Sequence, residues 1–191
     1  MYEVELKLRA DHDRVRGRLD DIGATHVGTV TQEDTYFDAP DRNFADTDEA
    51  LRIRRERRGD DDPAVAALTY KGPLVEEASK TRQEAETHVE DGAALRSILE
   101  GLGYQQAATV RKERTRYSVE DCTVTLDAVE GLGEFVEVEI ETERELGAGN
   151  AAAAEGLDEL RGEAVGVLEQ LGLDPGEQIR TSYLGLLLAE E

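Results

Sequence analysis

The sequence predicts an α+β fold, an eight-stranded antiparallel β-barrel with helices packed on its outside. Two observations lead there. About eight segments alternate apolar and charged residues with period two, and each half of the chain also carries a segment of helical period. Nearly every such strand has one apolar face and one face of mixed charge. Helices need an apolar surface to pack on. If they cover the apolar faces, the charged faces point inward, into a wide, wet barrel.

The elements follow in order. Residues 2–9 alternate Tyr2, Val4, Leu6 and Leu8 against Glu3, Glu5, Lys7 and Arg9. Asp11 reads as a helix N-cap, with Val15, Leu19 and Ile22 at helical spacing up to Gly23. Residues 26–38 read as a second strand, ended by Pro40 in an acidic loop. Residues 50–58 alternate again, and Gly59 to Pro63 is a turn. A strand over 65–72 stops at Gly72-Pro73, and another over 80–89 aligns Arg82, Glu84, Glu86 and His88. A helix with Leu95, Ile98, Leu99 and Leu102 closes at Gly103. Residues 107–119 place Lys112, Arg114 and Arg116 in phase. Residues 122–129 and 133–143 form a hairpin across Glu130 to Gly133. From about 150 the chain reads as helix, broken at Asp174-Pro175-Gly176. No linker interrupts it, so one domain over 1–191 is expected.

Composition narrows the function classes. The chain has 191 residues, 35% of them charged, and a net charge of −22. The acids are spread along the chain, which suits a surface adapted to high salt and predicts a halophilic source. That field repels phosphates at long range, so neither nucleic acid nor an anionic membrane is an expected partner. The opening residues lack the apolar core of a secretory leader, and no stretch is apolar enough to span a membrane. A cytoplasmic location is expected. Cys122 is the only cysteine, which excludes an intramolecular disulfide.

For any single strand, a charged face is as readily a solvated outer face as an inner one. Two points favour the inside for the whole set. A salt-adapted surface should be acidic, yet nine of the 22 basic residues sit on these faces: Lys7, Arg9, Arg52, Arg54, Lys71, Arg82, Lys112, Arg114 and Arg116. The helices also need the opposite faces. Interior charges are costly unless paired or met by a ligand. A polyanion with metal ions would satisfy both signs, with Arg and Lys on phosphate oxygens and carboxylates on Mg²⁺ or Mn²⁺. Glu3 and Glu5 lie roughly 6.5–7 Å apart along one strand face. Glu137 and Glu139 repeat that spacing, with Asp127 on the hairpin partner.

At these residues the chain resembles the CYTH superfamily, which joins class IV adenylate cyclases and thiamine triphosphatases. The resemblance is carried by Glu3-Val4-Glu5-Leu6-Lys7 and by companions in the family's order. These are Leu51-Arg52-Ile53-Arg54, Lys71-Gly72-Pro73, Arg82-x-Glu84-x-Glu86, Lys112-x-Arg114, Leu126-Asp127 and Gly131 through Glu139. Both ends, Tyr2 to Lys7 and Ser182 to Leu187, resemble class IV cyclases most closely. The resemblance implies a triphosphate tunnel. It assigns Glu3, Glu5, Asp127, Glu137 and Glu139 to Mg²⁺ or Mn²⁺, and Lys7, Arg52, Arg54, Lys71, Arg82, Lys112 and Arg114 to a triphosphate substrate. Glu3, Glu5 and Lys7 are the expected catalytic residues. Glu84 and Glu86 either join the metal site or pair with neighbouring arginines. A homodimer is compatible with the family. The expected activity is conversion of ATP to cyclic AMP and pyrophosphate; the alternatives are hydrolysis of an inorganic or organic triphosphate, and binding of a polyphosphate or nucleotide without turnover.

The remaining residues have plainer readings. His12 is expected at the surface in the first turn of a helix, His26 near a strand start, and His88 at the tunnel mouth without a metal role. Cys122 reads as a core or hairpin residue. Gly131 and Gly133 read as turn chemistry. Leu184 to Leu188 reads as helix packing.

Overall fold

The computed structural model describes residues 2–59, 61–76, 81–142 and 151–190. Residues 80, 143 and 150, at the edges of expected elements, lie outside that set. The strands are β1 (Tyr2–Arg9), β2 (Thr25–Asp38), β3 (Ala50–Arg57), β4 (Val65–Glu76), β5 (Thr81–Val89), β6 (Gln105–Val119), β7 (Cys122–Val129) and β8 (Gly133–Thr142). The helices are α1 (His12–Asp21), α2 (Gly92–Gly101), α3 (Ala151–Gln170) and α4 (Tyr183–Glu190). All eight strands close into one antiparallel barrel in the order β1-β5-β4-β3-β2-β6-β7-β8. Closure removes the sheet edges.

Register decides what faces in. Lys7 stands opposite Glu137, Arg114 opposite Asp127, Arg54 opposite Asp34, and Lys71 opposite Glu84. Directly opposed residues share a face, so these charges line the interior. The alternate residues point outward. Val4, Leu6, Leu8, Val124, Leu126, Val136 and Val138 are buried beneath α1 and α3. Each such side chain contributes about 1.5–3 kcal/mol through loss of water contact. Ile53 and Leu51 form a second outer patch under Leu99 of α2. Helix starts follow local chemistry: Asp11 accepts from the Arg14 amide at 2.9 Å, and Asp91 accepts from the Ala93 and Ala94 amides. Gly131 and Gly133, at φ +81° and +94°, make the β7–β8 turn in a region closed to most side chains.

Three local expectations change. β4 does not stop at Gly72-Pro73 but runs to Glu76, with a register shift between Lys71 and Leu74. A proline lacks the N–H that a ladder needs, and an irregularity in pairing accommodates it. His12 is not at the surface; it is 4% exposed, its Nε2 3.0 Å from the Phe135 carbonyl oxygen. On α2, Leu99 is buried but Ile98 and Leu102 stay exposed, so half of that apolar stripe faces solvent. The C-terminal segment folds back onto β1, where the Ile179 amide donates to the Lys7 carbonyl at 2.7 Å, and α4 follows. Among the described residues no helix is long and apolar enough to cross a membrane.

Candidate active site

The barrel interior is layered along its axis. At one end the inward residues are apolar. Tyr36, Val110, Val129 and Phe135 pack against Tyr183, Leu184, Leu186 and Leu187 of α4, which stoppers that end. Next along the strands comes a cationic layer, Lys7, Arg52 and Lys112, with Lys7 directly opposite Glu137; Glu5 and Glu139, opposite each other, lie one inward position beyond. The far end opens through a cavity of about 460 Å³ lined by Arg54, Glu56, Val65, Ala67, Glu86, His88 and Arg116. A larger hollow of about 640 Å³ lies over outward-facing residues such as Glu33, Arg55, Arg111 and Glu113. The inward residues Gln32, Lys112 and Val129 also line it, and within it Arg111 donates to Glu33 at 3.0 Å.

Two aspartates organise the arginines. Asp34, 1% exposed, accepts two parallel bonds from Arg54, each 2.7 Å, and lies 3.5 Å from Arg52. Asp127 is fully buried and accepts from Arg114 at 2.7 and 2.6 Å and from Lys112 at 3.1 Å. Burial would push both carboxyls up. The adjacent cations outweigh it and hold both well below the ordinary carboxylate range. Burial and the neighbouring Arg114 bring the Lys112 ammonium down to about 8, against the pull of Asp127 and Glu137.

Glu5, Glu137 and Glu139 each offer one carboxylate oxygen, all within 4.8 Å of one another. Burial, only partly countered by Arg114 and reinforced by Glu3, Glu137 and Glu5, pushes Glu139 up to about 8. Three hard oxygen donors around one point, with like charges resisting ionisation, fit a Mg²⁺ or Mn²⁺ ion. Lys7 Nζ lies 3.4 Å from Glu5 and 3.9 Å from Glu137, so it joins the carboxylate and cationic layers.

The expected site residues therefore divide. Glu5, Glu137 and Glu139 come together. Asp127 is not in that trio; it stands opposite Phe135 on β8 and accepts from Arg114 and Lys112. Glu3 lies one position further out and accepts from Lys71 at 3.1 Å. Arg114 faces three acids, Asp127, Glu137 and Glu139, and is a counter-charge to the carboxylates. Arg82 gives both terminal nitrogens to Asp48, to its carbonyl and its carboxylate, each at 2.6 Å. Glu84 pairs with Lys71, and Glu86 accepts from Thr69 at 2.7 Å. Neither Glu84 nor Glu86 is in the converging trio. His88 is exposed at the mouth. Cys122 is buried on the outer face, and burial pushes its thiol up to about 11.

Sequence reasoning missed Asp34, the Gln32–Glu56–Arg116 chain (2.7 and 2.8 Å) and Tyr183. Tyr36 and Phe37 are adjacent aromatic residues on opposite faces of β2, so they do not show which face Gln32 and Asp34 share.

Fold and site together define a class: a closed antiparallel barrel whose interior pairs a cationic layer with a carboxylate trio. Residues 1–183 match the CYTH domain, and the chain belongs to that family. It is 36% identical over 187 residues to MJ0240 of Methanocaldococcus jannaschii, provisionally named an adenylate cyclase, covering 97% of this chain and 98% of that one. It is 32% identical over 146 residues to adenylate cyclase CyaB of Aeromonas hydrophila, covering 75% and 71%. The solved structure of PH1819 from Pyrococcus horikoshii superimposes with a TM-score of 0.84 at 36% identity, covering 99% of each chain.

Proposed function

We propose that this chain is a metal-dependent enzyme that converts ATP to cyclic AMP and pyrophosphate inside the tunnel. The observation that carries the reading is the axial order: stoppered end, cations, carboxylates, open mouth. A nucleoside triphosphate entering by the mouth leads with its terminal phosphates. These reach Lys7, Arg52, Lys71 and Lys112, while the α-phosphorus comes to rest beside Glu5, Glu137 and Glu139. The nucleoside is left at the mouth, in a cavity of about 460 Å³. The adenylate cyclase names carried by its relatives in Methanocaldococcus and Aeromonas agree with this reading.

A divalent ion held by Glu5, Glu137 and Glu139 would supply Lewis acidity at the α-phosphate and favour ionisation of the ribose 3′-hydroxyl. The 3′-oxygen forms its bond to the α-phosphorus as the bond from that phosphorus to the bridging oxygen breaks. Pyrophosphate departs with that oxygen, and the hydroxyl proton passes to water at the mouth. Lys7 and Lys112 face the charge that builds on the leaving group, in a buried setting where such contacts are strong. Asp34 fixes Arg54 and Arg52, so those guanidiniums are placed before substrate arrives.

The test is product analysis. The protein is incubated with ATP, and separately with tripolyphosphate, in Mg²⁺ or Mn²⁺ at high salt. Cyclic AMP plus pyrophosphate is expected. Orthophosphate from either substrate would replace this reading with a triphosphatase. Binding of both without product would make the chain a polyphosphate binder.

A further inference from the structure

Tyr183 is the one tyrosine of the stopper that reaches the charged interior, and the scheme above gives it no part. It opens α4 and is 6% exposed. Its ring meets Phe135 edge to face, centroids 5.0 Å apart. The ammonium groups of Lys7 and Lys112 lie 4.6 and 4.9 Å from its ring centroid. Those two lysines are the innermost cations of the tunnel, so the ring sits where the cationic layer meets the apolar plug. Its hydroxyl is fully buried and has no hydrogen-bond partner among the described residues.

A buried phenol without a partner is a cost that phenylalanine would avoid while filling the same space. The hydroxyl is not alone in this. Arg52 Nε and Thr125 Oγ1, both donors on inward strand positions, also lack partners among the described residues. A ligand rich in acceptor oxygens would meet these donors in the tunnel. Burial, with Glu137 and Asp127 nearby, raises the phenol well above its ordinary value, so it stays protonated and donates.

We propose that Tyr183 is a substrate-binding residue whose hydroxyl donates a hydrogen bond to the terminal phosphate of a polyphosphate chain lodged between Lys7 and Lys112. The proposal rests on the triphosphate reading of the tunnel and adds a contact from the C-terminal helix to it. The segment that stoppers the barrel also measures the depth to which the chain of phosphates inserts.

The experiment compares wild type with Tyr183→Phe. Tripolyphosphate binding is measured by titration calorimetry in EDTA, where no metal-dependent turnover occurs, and unliganded melting temperature is measured alongside. A hydrogen bond to a charged group predicts about tenfold weaker binding in the variant. The unliganded melting temperature should be unchanged or higher, because an unsatisfied hydroxyl has been removed. Equal affinity in the two proteins would overturn the proposal and leave the tunnel reading intact. Weaker binding together with a lower unliganded melting temperature would also overturn it, making Tyr183 a structural residue. Absence of tripolyphosphate binding in wild type would overturn the triphosphate reading itself, and the proposal with it.

Discussion

The two halves of the barrel are built in the same order, strand, helix, strand, strand, strand: β1-α1-β2-β3-β4 and β5-α2-β6-β7-β8. Each half buries one aspartate–arginine clamp on its second and third strands. In the first half the acid is on β2 and the arginine on β3, Asp34 with Arg54. In the second half the signs are exchanged, Arg114 on β6 and Asp127 on β7. The last strands differ more. β8 carries Glu137 and Glu139 inward, whereas β4 presents Thr69 and Lys71 at its inner positions. Arg114 is therefore surrounded by acids, while both of Arg54's hydrogen bonds go to one acid. The comparison teaches that one backbone plan, used twice, can turn two carboxylates inward on its last strand in one half and a hydroxyl and an ammonium in the other.

The largest expected effect tests that division. Glu5→Gln removes one of the three converging carboxylates and should lower turnover by about a thousandfold while weakening Mn²⁺ binding. Glu86→Gln, on β5 at the mouth and bonded to Thr69, should stay within about threefold. Steady-state kinetics and metal titration decide; similar losses in the two variants would show that the trio is not set apart from the other inward acids.

The clamps come next, and here the measured quantity is stability. Asp34→Asn strips Arg54 of its carboxylate and should cost about 3 kcal/mol by denaturant unfolding. Asp127→Asn leaves Arg114 with Glu137 and Glu139 and should cost about half as much. The pH dependence has a definite sign. Asp34 in the folded protein is held well below the ordinary aspartate value of about 3.9, so its contribution is present above that value and fades as pH falls below it. The gap between wild type and Asp34→Asn should therefore be full at pH 7 and shrink below about pH 4. A gap that does not change with pH would remove the ionised clamp from the account.

The smallest effect lies outside the tunnel. Arg111→Ala, on the exposed outer face beside Glu33, should change stability by less than about 0.5 kcal/mol. A loss of several kcal/mol would mean that the outer face is more than solvated surface.

Much of this was legible in the chain itself. β1 shows why: Tyr2 to Arg9 alternate without exception, so both the strand and its two faces can be read directly. The same holds for Arg52 and Arg54 on β3 and for Glu137 and Glu139 on β8. Asp34 was not legible because β2 runs Thr31-Gln32-Glu33-Asp34-Thr35, polar on both faces, and a polar run carries no phase. His12 was misplaced because its partner, the Phe135 carbonyl, is 123 residues away.

By itself, then, the sequence determined the strands, the faces of all but β2, the helices that cover them and most of the charges that turn inward, since these depend on spacing within a few residues. The tertiary structure alone decided which charges meet. Register set Asp127 against Arg114 and not beside Glu5. Chain reversal brought Asp48 to Arg82 and carried Tyr183 into the end of the barrel. Pairings of this kind depend on strand order and on how a distant segment packs, and no local period encodes either.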